Sequence, residues 1–222
     1  VYTDSPHDFT GEEIEKLKTL VSLGGILADR AKISQQMRAL IDIARSLTSS
    51  LSLHEVLQKI VESAAKALRL KAASIRLLDK DRQTLEIKAT YGLSTAYIEK
   101  GPVEVAKSGI DRECLEGGVV AVADVTKDER FQYPEEMIRE GIGAMLSLPL
   151  TVKGAAIGVL RVYTSLPYTF TPSEIEFLSV LASQGGVAIE NARLFEHIQR
   201  DYEDLTKDVW KWYDWGERFP RI

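Results

Sequence analysis

Apolar residues recur every three or four positions at the two ends of the chain, and every second position or in unbroken runs between them. After Thr10, the residues Ile14, Leu17, Val21, Gly24, Ala28 and Ala31 follow a helical spacing. The stripe resumes with a shifted phase as Ile33, Met37, Leu40, Ala44, Leu47 and Leu51. This predicts one long helix over about 12–48, opened by a capping box of Thr10 with Glu13. A second helix is predicted over 53–69, capped by Ser52, with Val56, Leu57, Ile60, Val61, Ala64 and Leu68 on its apolar side. Strand signals begin at Ala72 and run through Leu78, followed by a turn at 79–83. Leu85, Ile87, Ala89 and Tyr91 then alternate with Glu86, Lys88 and Thr90 in a clean period of two.

The middle of the chain is more broken. Residues 92–101 read as a loop with a short helix, Val103 to Val105 as a short strand, and Gly109 to Glu116 as a helical turn or two stopped by Gly117-Gly118. Val119 to Ala123 is a strand ending at Asp124, and a polar stretch then leads into a short helix around Glu135–Glu140. Ala144 to Val152 and Ala155 to Thr164 form a hairpin around Lys153-Gly154. Pro149 has no amide proton to donate, so it belongs at a bulge or a strand edge. A closing helix starts after Thr171-Pro172 and keeps its 3–4 spacing to Trp212, ahead of a tail at 210–222. Strands joined by hairpins, with helices at both chain ends, predict an α+β domain on an antiparallel sheet.

The two ends resemble each other. Residues 1–33 align without a gap on residues 162–194, with 15 of 33 positions identical, including the VYT…P…FT lead-in and the pairs Gly24-Gly25 and Gly185-Gly186. Since the second copy leads from a strand through a turn into a long helix, the first copy is expected to do the same. That expectation makes residues 1–11 the last strand and turn of a preceding similar domain, 12–50 a connecting helix, 51–195 a full domain, and 196–222 a helical extension and tail. The start at Val1 fits a segment of a longer tandem protein. Adjacent glycines within a helix each cost about 1 kcal/mol relative to alanine. Their presence in both copies points to a close approach of helix and neighbour.

Composition narrows the function. With 28 basic against 33 acidic residues the net charge is −5, and no basic stripe offers itself to nucleic acid. No apolar run approaches the roughly 18 residues a membrane span needs. The lone cysteine, Cys114, fits a reducing compartment, so a cytoplasmic location is expected. Neither a Ser-His-Asp order, an HExxH helix nor a glycine-rich phosphate loop is present, so no catalytic residues are assigned and an enzyme is not expected. No histidine and carboxylate spacing suggests a metal.

The succession LHEVLQKIVESAAKAL, ASIRLLD…LEIKATYG, SGIDRECLEGGVVAVADVTKDERF, GIGAMLSLPLTVKGAAIGVLRVYT and FTPSEIEFLSVLASQGGVAIENARL resembles the GAF family of sensory domains over about 51–195. The resemblance implies a GAF/PAS-like antiparallel sheet of about six strands. One face would carry the terminal helices, and the other a ligand pocket roofed by loops and short helices between 92 and 142. It also implies a small-molecule sensor that signals along those helices. Subfamily signatures are missing. Cyclic-nucleotide binders carry Asn-Lys on the last strand, where this chain has Tyr163-Thr164, and an Asp-Glu pair where Phe170 is followed by Glu174-Ile175. Bilin binders have a histidine after the roof cysteine, where Leu115 follows Cys114, and His7, His54 and His197 all lie elsewhere. Sulfoxide-reducing members use several cysteines. The cofactor, if any, is therefore not named.

The resemblance places Asp124, Phe131, Tyr97, Ser108, Cys114, Met137, Met145 and Ser147 as candidate ligand contacts. Each has a plainer role beside it. Cys114 is a redox sensor or a buried structural thiol, Asp124 a ligand acceptor or a turn cap, and Phe131, Tyr133 and Met137 a ligand roof or a local apolar cluster. Residues 14–31 carry an apolar stripe that needs a partner, which predicts a parallel helical homodimer with Ile14, Leu17, Val21, Leu40 and Leu47 at the seam. The expected partners are thus an unidentified small molecule and a second copy. The alternative is a ligand-free dimerisation or relay module within a tandem signalling protein.

Overall fold

A computed structural model of the chain describes residues 10–18 and 52–216. The chain divides into two compact units, Val1–Ile41 and Asp42–Ile222. In the first, residues 11–18 form helix α1. The predicted capping box is present: Thr10 N donates to Glu13 Oε2 at 2.8 Å, and Glu13 N donates to Thr10 Oγ1 at 3.3 Å. The rest of the long helix expected over 12–48 lies outside the described residues, as do Val21, Leu40, Leu47 and Gly24-Gly25.

The second unit is built on six antiparallel strands: β1 (Ala72–Leu78), β2 (Thr84–Tyr91), β3 (Val103–Glu104), β4 (Val120–Val122), β5 (Ala144–Val152) and β6 (Ala155–Thr164). Their order across the sheet is β3-β2-β1-β6-β5-β4. This is the α+β, six-stranded arrangement expected. The β5–β6 turn takes positive φ at both Lys153 (49°) and Gly154 (82°), the backbone hand that matches strand twist. Pairing of β4 with β5 stops at Ser147, so Pro149 sits where β5 has a single neighbour and its missing donor costs no ladder bond.

Strand alternation splits the sheet into two faces. Residues directly opposite in an antiparallel pair share a face. Ile75 with Leu160 and Leu148, and Ala73 with Val162 and Leu146, therefore point to one side, where α2 (Leu53–Leu68) and α6 (Pro172–Gly216) pack. Helix α2 buries Val56, Leu57, Ile60, Val61, Ala64 and Ala65, and α6 buries Phe177, Leu178, Leu181, Ala182 and Ile189. Gly185 and Gly186 lie at this contact. A Cβ on Gly186 would stand 2.4 Å from the Thr151 carbonyl oxygen of β5, and one on Gly185 would stand 3.0 Å from Ile60 Cδ1. The close approach expected of this glycine pair is therefore between α6 and both the sheet and α2.

Two local expectations are corrected. The regular alternation read across β2 is interrupted: Ile75 pairs with Ala89 and Arg76 with Ile87, so Lys88 is the extra residue of a bulge. Leu85 and Ile87 accordingly share a face with Leu78 and Arg76, while Ala89 and Tyr91 go to the helix side with Ile75 and Ala73. Ser52 occupies the N-cap position of α2 but makes no side-chain cap bond. That role falls to α6, whose Glu196 Oε1 accepts from Leu53 N at 3.1 Å. At the start of α6, Thr171 N donates to Glu174 Oε2 at 2.9 Å and Glu174 N to Thr171 Oγ1 at 3.3 Å. The capping box of α1 is thus repeated at the equivalent place in the second copy.

Candidate functional site

The opposite face of the sheet presents Ser74 and Arg76 from β1, Val159, Arg161 and Tyr163 from β6, and Met145 and Ser147 from β5. Over it lie α3 (Thr95–Ile98), the 3-10 turn Val105–Lys107, α4 (Gly109–Leu115), the 3-10 turn Val125–Lys127 and α5 (Pro134–Arg139). The roof is tied to itself by side chains. Glu140 accepts from Ser94 N at 3.0 Å and from Ser94 Oγ, joining the start of α3 to the end of α5. Gln132 Oε1 accepts from Glu104 N at 2.8 Å, and Tyr133 Oη donates to the Pro102 carbonyl at 3.1 Å.

Between floor and roof is a cavity of about 10 Å³, room for about one water molecule. Tyr97, Lys100, Val103, Ser108, Asp111, Phe131, Gln132, Tyr133, Met137 and Arg161 line it. Tyr97 meets Tyr163 edge-on with ring centres 6.3 Å apart, and Lys100 Nζ lies 3.5 Å from the centre of the Tyr97 ring. Ser108 caps α4, its Oγ accepting from Asp111 N at 3.4 Å. That cap places Asp111 in the first turn, pointing down at the floor, where its Oδ1 accepts from Arg161 Nη2.

The polar groups here are unusually short of partners. Arg76 is fully buried, and among the described residues none of its three guanidinium nitrogens has a hydrogen-bond partner. Arg161 Nε and Asp111 Oδ2 are likewise buried and unmatched. A buried charge without a counter-charge costs several kcal/mol, and native proteins leave few such groups. Burial works against the Arg161 charge, but the Asp111 carboxylate together with the Tyr163 and Tyr97 phenols holds that guanidinium above its ordinary range. Burial, followed by Arg76 and Arg161, lowers the Lys100 amine to about 6. Burial would raise the Tyr163 phenol, yet Arg76, Arg161 and a 3.0 Å hydrogen bond with Ser74 Oγ hold it below its usual value.

Of the residues singled out from sequence, Tyr97, Ser108, Phe131 and Met137 line the cavity. Cys114, Met145 and Ser147 lie fully buried in the packing around it, with Ser147 Oγ donating to Cys114 Sγ at 3.5 Å. Burial pushes the Cys114 thiol up to about 11. Asp124 does not line the cavity. Its Oδ1 caps the following turn, accepting from Thr126 Oγ1 at 2.6 Å and Thr126 N at 3.1 Å. With Lys127 Nζ 2.9 Å from Oδ2, these bonds hold its carboxyl down to about 2. The sequence reading missed Arg76, Arg161, Asp111 and Lys100. The two arginines did leave a signal: each sits within an otherwise apolar strand, in ASIRLL and in VLRVY, on strands that proved adjacent.

Among the described residues no helix is long and apolar enough to cross a membrane, and no three His, Cys, Asp or Glu side chains converge as a metal site. Comparison with known proteins agrees with the architecture. The GAF domain from an Acinetobacter phosphoenolpyruvate-protein phosphotransferase superposes with a TM-score of 0.62 at 26% identity, covering 72% of this chain and 95% of that one. A domain of a putative two-component sensor histidine kinase from Sinorhizobium meliloti gives a TM-score of 0.55 at 29% identity, over 64% and 92%. In sequence the chain is 19% identical to a formate hydrogenlyase transcriptional activator of Salmonella typhimurium over 216 residues, 89% of this chain. It spans only 31% of that relative's length. The family model for the GAF domain matches residues 50–190, which contain the whole sheet, its roof and the first turns of α6, and the chain belongs to the GAF domain family.

Proposed function

We propose that this domain, one of a family of sensory and signalling modules, binds a small molecule between the sheet and its roof and transmits the change through α2 and α6 in a homodimer. One observation carries the reading: the buried floor and roof present Arg76, Arg161 and Asp111 with polar atoms that nothing in the described protein satisfies. A module that served only as a spacer would gain stability by filling this volume with apolar side chains. The cavity is small, so binding would shift the roof, whose elements are joined through Ser94–Glu140 and Gln132–Glu104. A shift of that kind passes to the helices through the sheet they share, as a population change between two arrangements. Glu196 of α6, capping α2, supports a transmission in which the two helices move together.

The repeated capping box at Thr10–Glu13 and Thr171–Glu174 supports a tandem arrangement, with residues 1–11 the end of a preceding GAF domain. The similarity to a transcriptional activator and to a domain of a sensor kinase supports a regulatory role in the cytoplasm. The test is native mass spectrometry of the protein as purified, beside the denatured sample, with a thermal-shift series against neutral and charged metabolites. A mass lost on denaturation, or a ligand-dependent rise in Tm, is the expected result. A clean dimer that nothing stabilises would replace this reading with that of a ligand-free relay module.

A further inference from the structure

We propose that the chamber is built for a small oxyanion, a carboxylate or phosphate group, seated on the Arg76 guanidinium with Lys100 closing over it. The inference rests on the reading of the chamber as a ligand site and adds the chemical class of what enters it.

Among the fully buried groups the charges do not balance without such an anion. The guanidiniums of Arg76 and Arg161 meet one buried carboxylate, Asp111, which Arg161 Nη2 engages. Glu136 of α5 is only partly buried and lies 3.9 Å from Arg139. Arg76 is left with every guanidinium nitrogen buried and no acceptor. A guanidinium offers a planar fork of donors that carboxylate and phosphate oxygens match two at a time. Arg76 stands on the face that Ser74, Arg161 and Tyr163 share, next to Arg161 on the adjacent strand.

The neighbours register the surplus positive charge. The Tyr163 phenol is drawn toward ionisation against the effect of its own burial, with Arg76 the first group responsible. The Lys100 amine, at the roof, is discharged by burial and by the same two guanidiniums. An arriving anion would reverse that, and Lys100 would take up a proton as the site fills. The cavity as it stands holds about one water and is lined by Arg161 and Lys100 but not by Arg76. An anion therefore reaches the Arg76 guanidinium, on the same sheet face, only as the roof shifts, which favours a small head group over a large planar ligand.

The experiment uses the whole chain, with acetate, inorganic phosphate and the neutral isostere acetamide as probes at constant ionic strength set by chloride. Melting and calorimetric titration are recorded at neutral pH. Acetate or phosphate is expected to raise Tm by about 5–10 °C at a hundredfold excess over its Kd, with no effect of acetamide. Which of the two anions acts tells carboxylate from phosphate as the recognised group. Arg76→Met should weaken the anion at least about tenfold without lowering the melting point of the free protein, because it removes an unpaired buried charge. Asp111→Asn should melt lower than the wild type and be restored by the anion, which then compensates Arg161; this arm stands even if the Arg76 variant fails to fold. No shift with either anion, or an equal shift in Arg76→Met, overturns the proposal. If acetamide or a neutral co-purified molecule binds instead, the ligand chamber stands and only its anionic character falls; if no compound binds at all, both fall.

Discussion

At the scale of single residues, burial decides chemistry more than residue type does. Cys114 has no exposed surface and its thiol is pushed up to about 11, so at pH 8 only about one molecule in a thousand carries the thiolate. Iodoacetamide should therefore leave Cys114 unmodified in the folded protein and label it fully in denaturant; rapid labelling of the native protein, read by mass spectrometry, would contradict this. Lys100 makes the opposite kind of prediction. It is faced by Arg76 of β1, Arg161 of β6, Asp111 of α4, Glu136 of α5 and the Tyr97 and Tyr133 rings. Its folded value of about 6 lies below its ordinary 10.5, so between those values the unfolded chain binds more protons. Lys100 thus makes stability rise as pH increases above about 6, and its cost is complete below that. Lys100→Met should flatten the rise in Tm between pH 6 and 9, with an unchanged slope as the contrary result.

At the scale of elements, the helices and strands were largely legible because their signals are local. The capping box at Thr10–Glu13 and the hairpin at Lys153-Gly154 follow from bonds or dihedrals within a few residues. The bulge in β2 was not legible, because Leu85, Ile87, Ala89 and Tyr91 fit an uninterrupted strand equally well; only the pairing with β1 inserts Lys88 as an extra residue. The cap of α2 was misread for a similar reason. Ser52 has the right chemistry, but Glu196, distant in sequence, reaches the free amide. The glycine pair on α6 can be tested directly. Gly186→Ala drives a methyl to 2.4 Å from a backbone oxygen and should cost about 1–3 kcal/mol, or about 2–4 °C of Tm for each kcal/mol in a chain of this size. Gly185→Ala meets the mobile end of Ile60 and should cost clearly less. Equal effects would mean that the helix–sheet spacing is not set by Gly186.

At the scale of the whole molecule, α6 leaves apolar residues in water. Val180, Val187 and Leu194, seven apart, are 41%, 50% and 52% exposed, and Ile198 is 65% exposed. That spacing is a helical seam of the kind that pairs with a second copy. Ile14 of α1 is 42% exposed, and Leu17 is partly buried. Val21, Leu40 and Leu47 lie outside the described residues. Light scattering at micromolar concentration should give a dimer. Leu194→Glu with Ile198→Glu should shift it to monomer without disturbing the fold, since both side chains are already exposed. A wild-type monomer would remove the homodimer from the signalling scheme and leave ligand binding to be judged separately.

The order of elements could be inferred from the chain because periodicity and turn chemistry depend on neighbours a few residues away. The family and the two-faced sheet came instead from the resemblance of the whole succession of segments to GAF domains. Half of the named ligand candidates, Tyr97, Ser108, Phe131 and Met137, were placed on the cavity through the family resemblance. The charges that give the site its character belong to the tertiary structure. Arg76 and Arg161 stand on adjacent strands separated in sequence by four other strands and the roof, and Asp111 reaches Arg161 from a roof helix. Whether an arginine in a strand is solvated, paired or left facing a cavity depends on what folds over it. In this protein the roof that covers Arg76 supplies no acceptor.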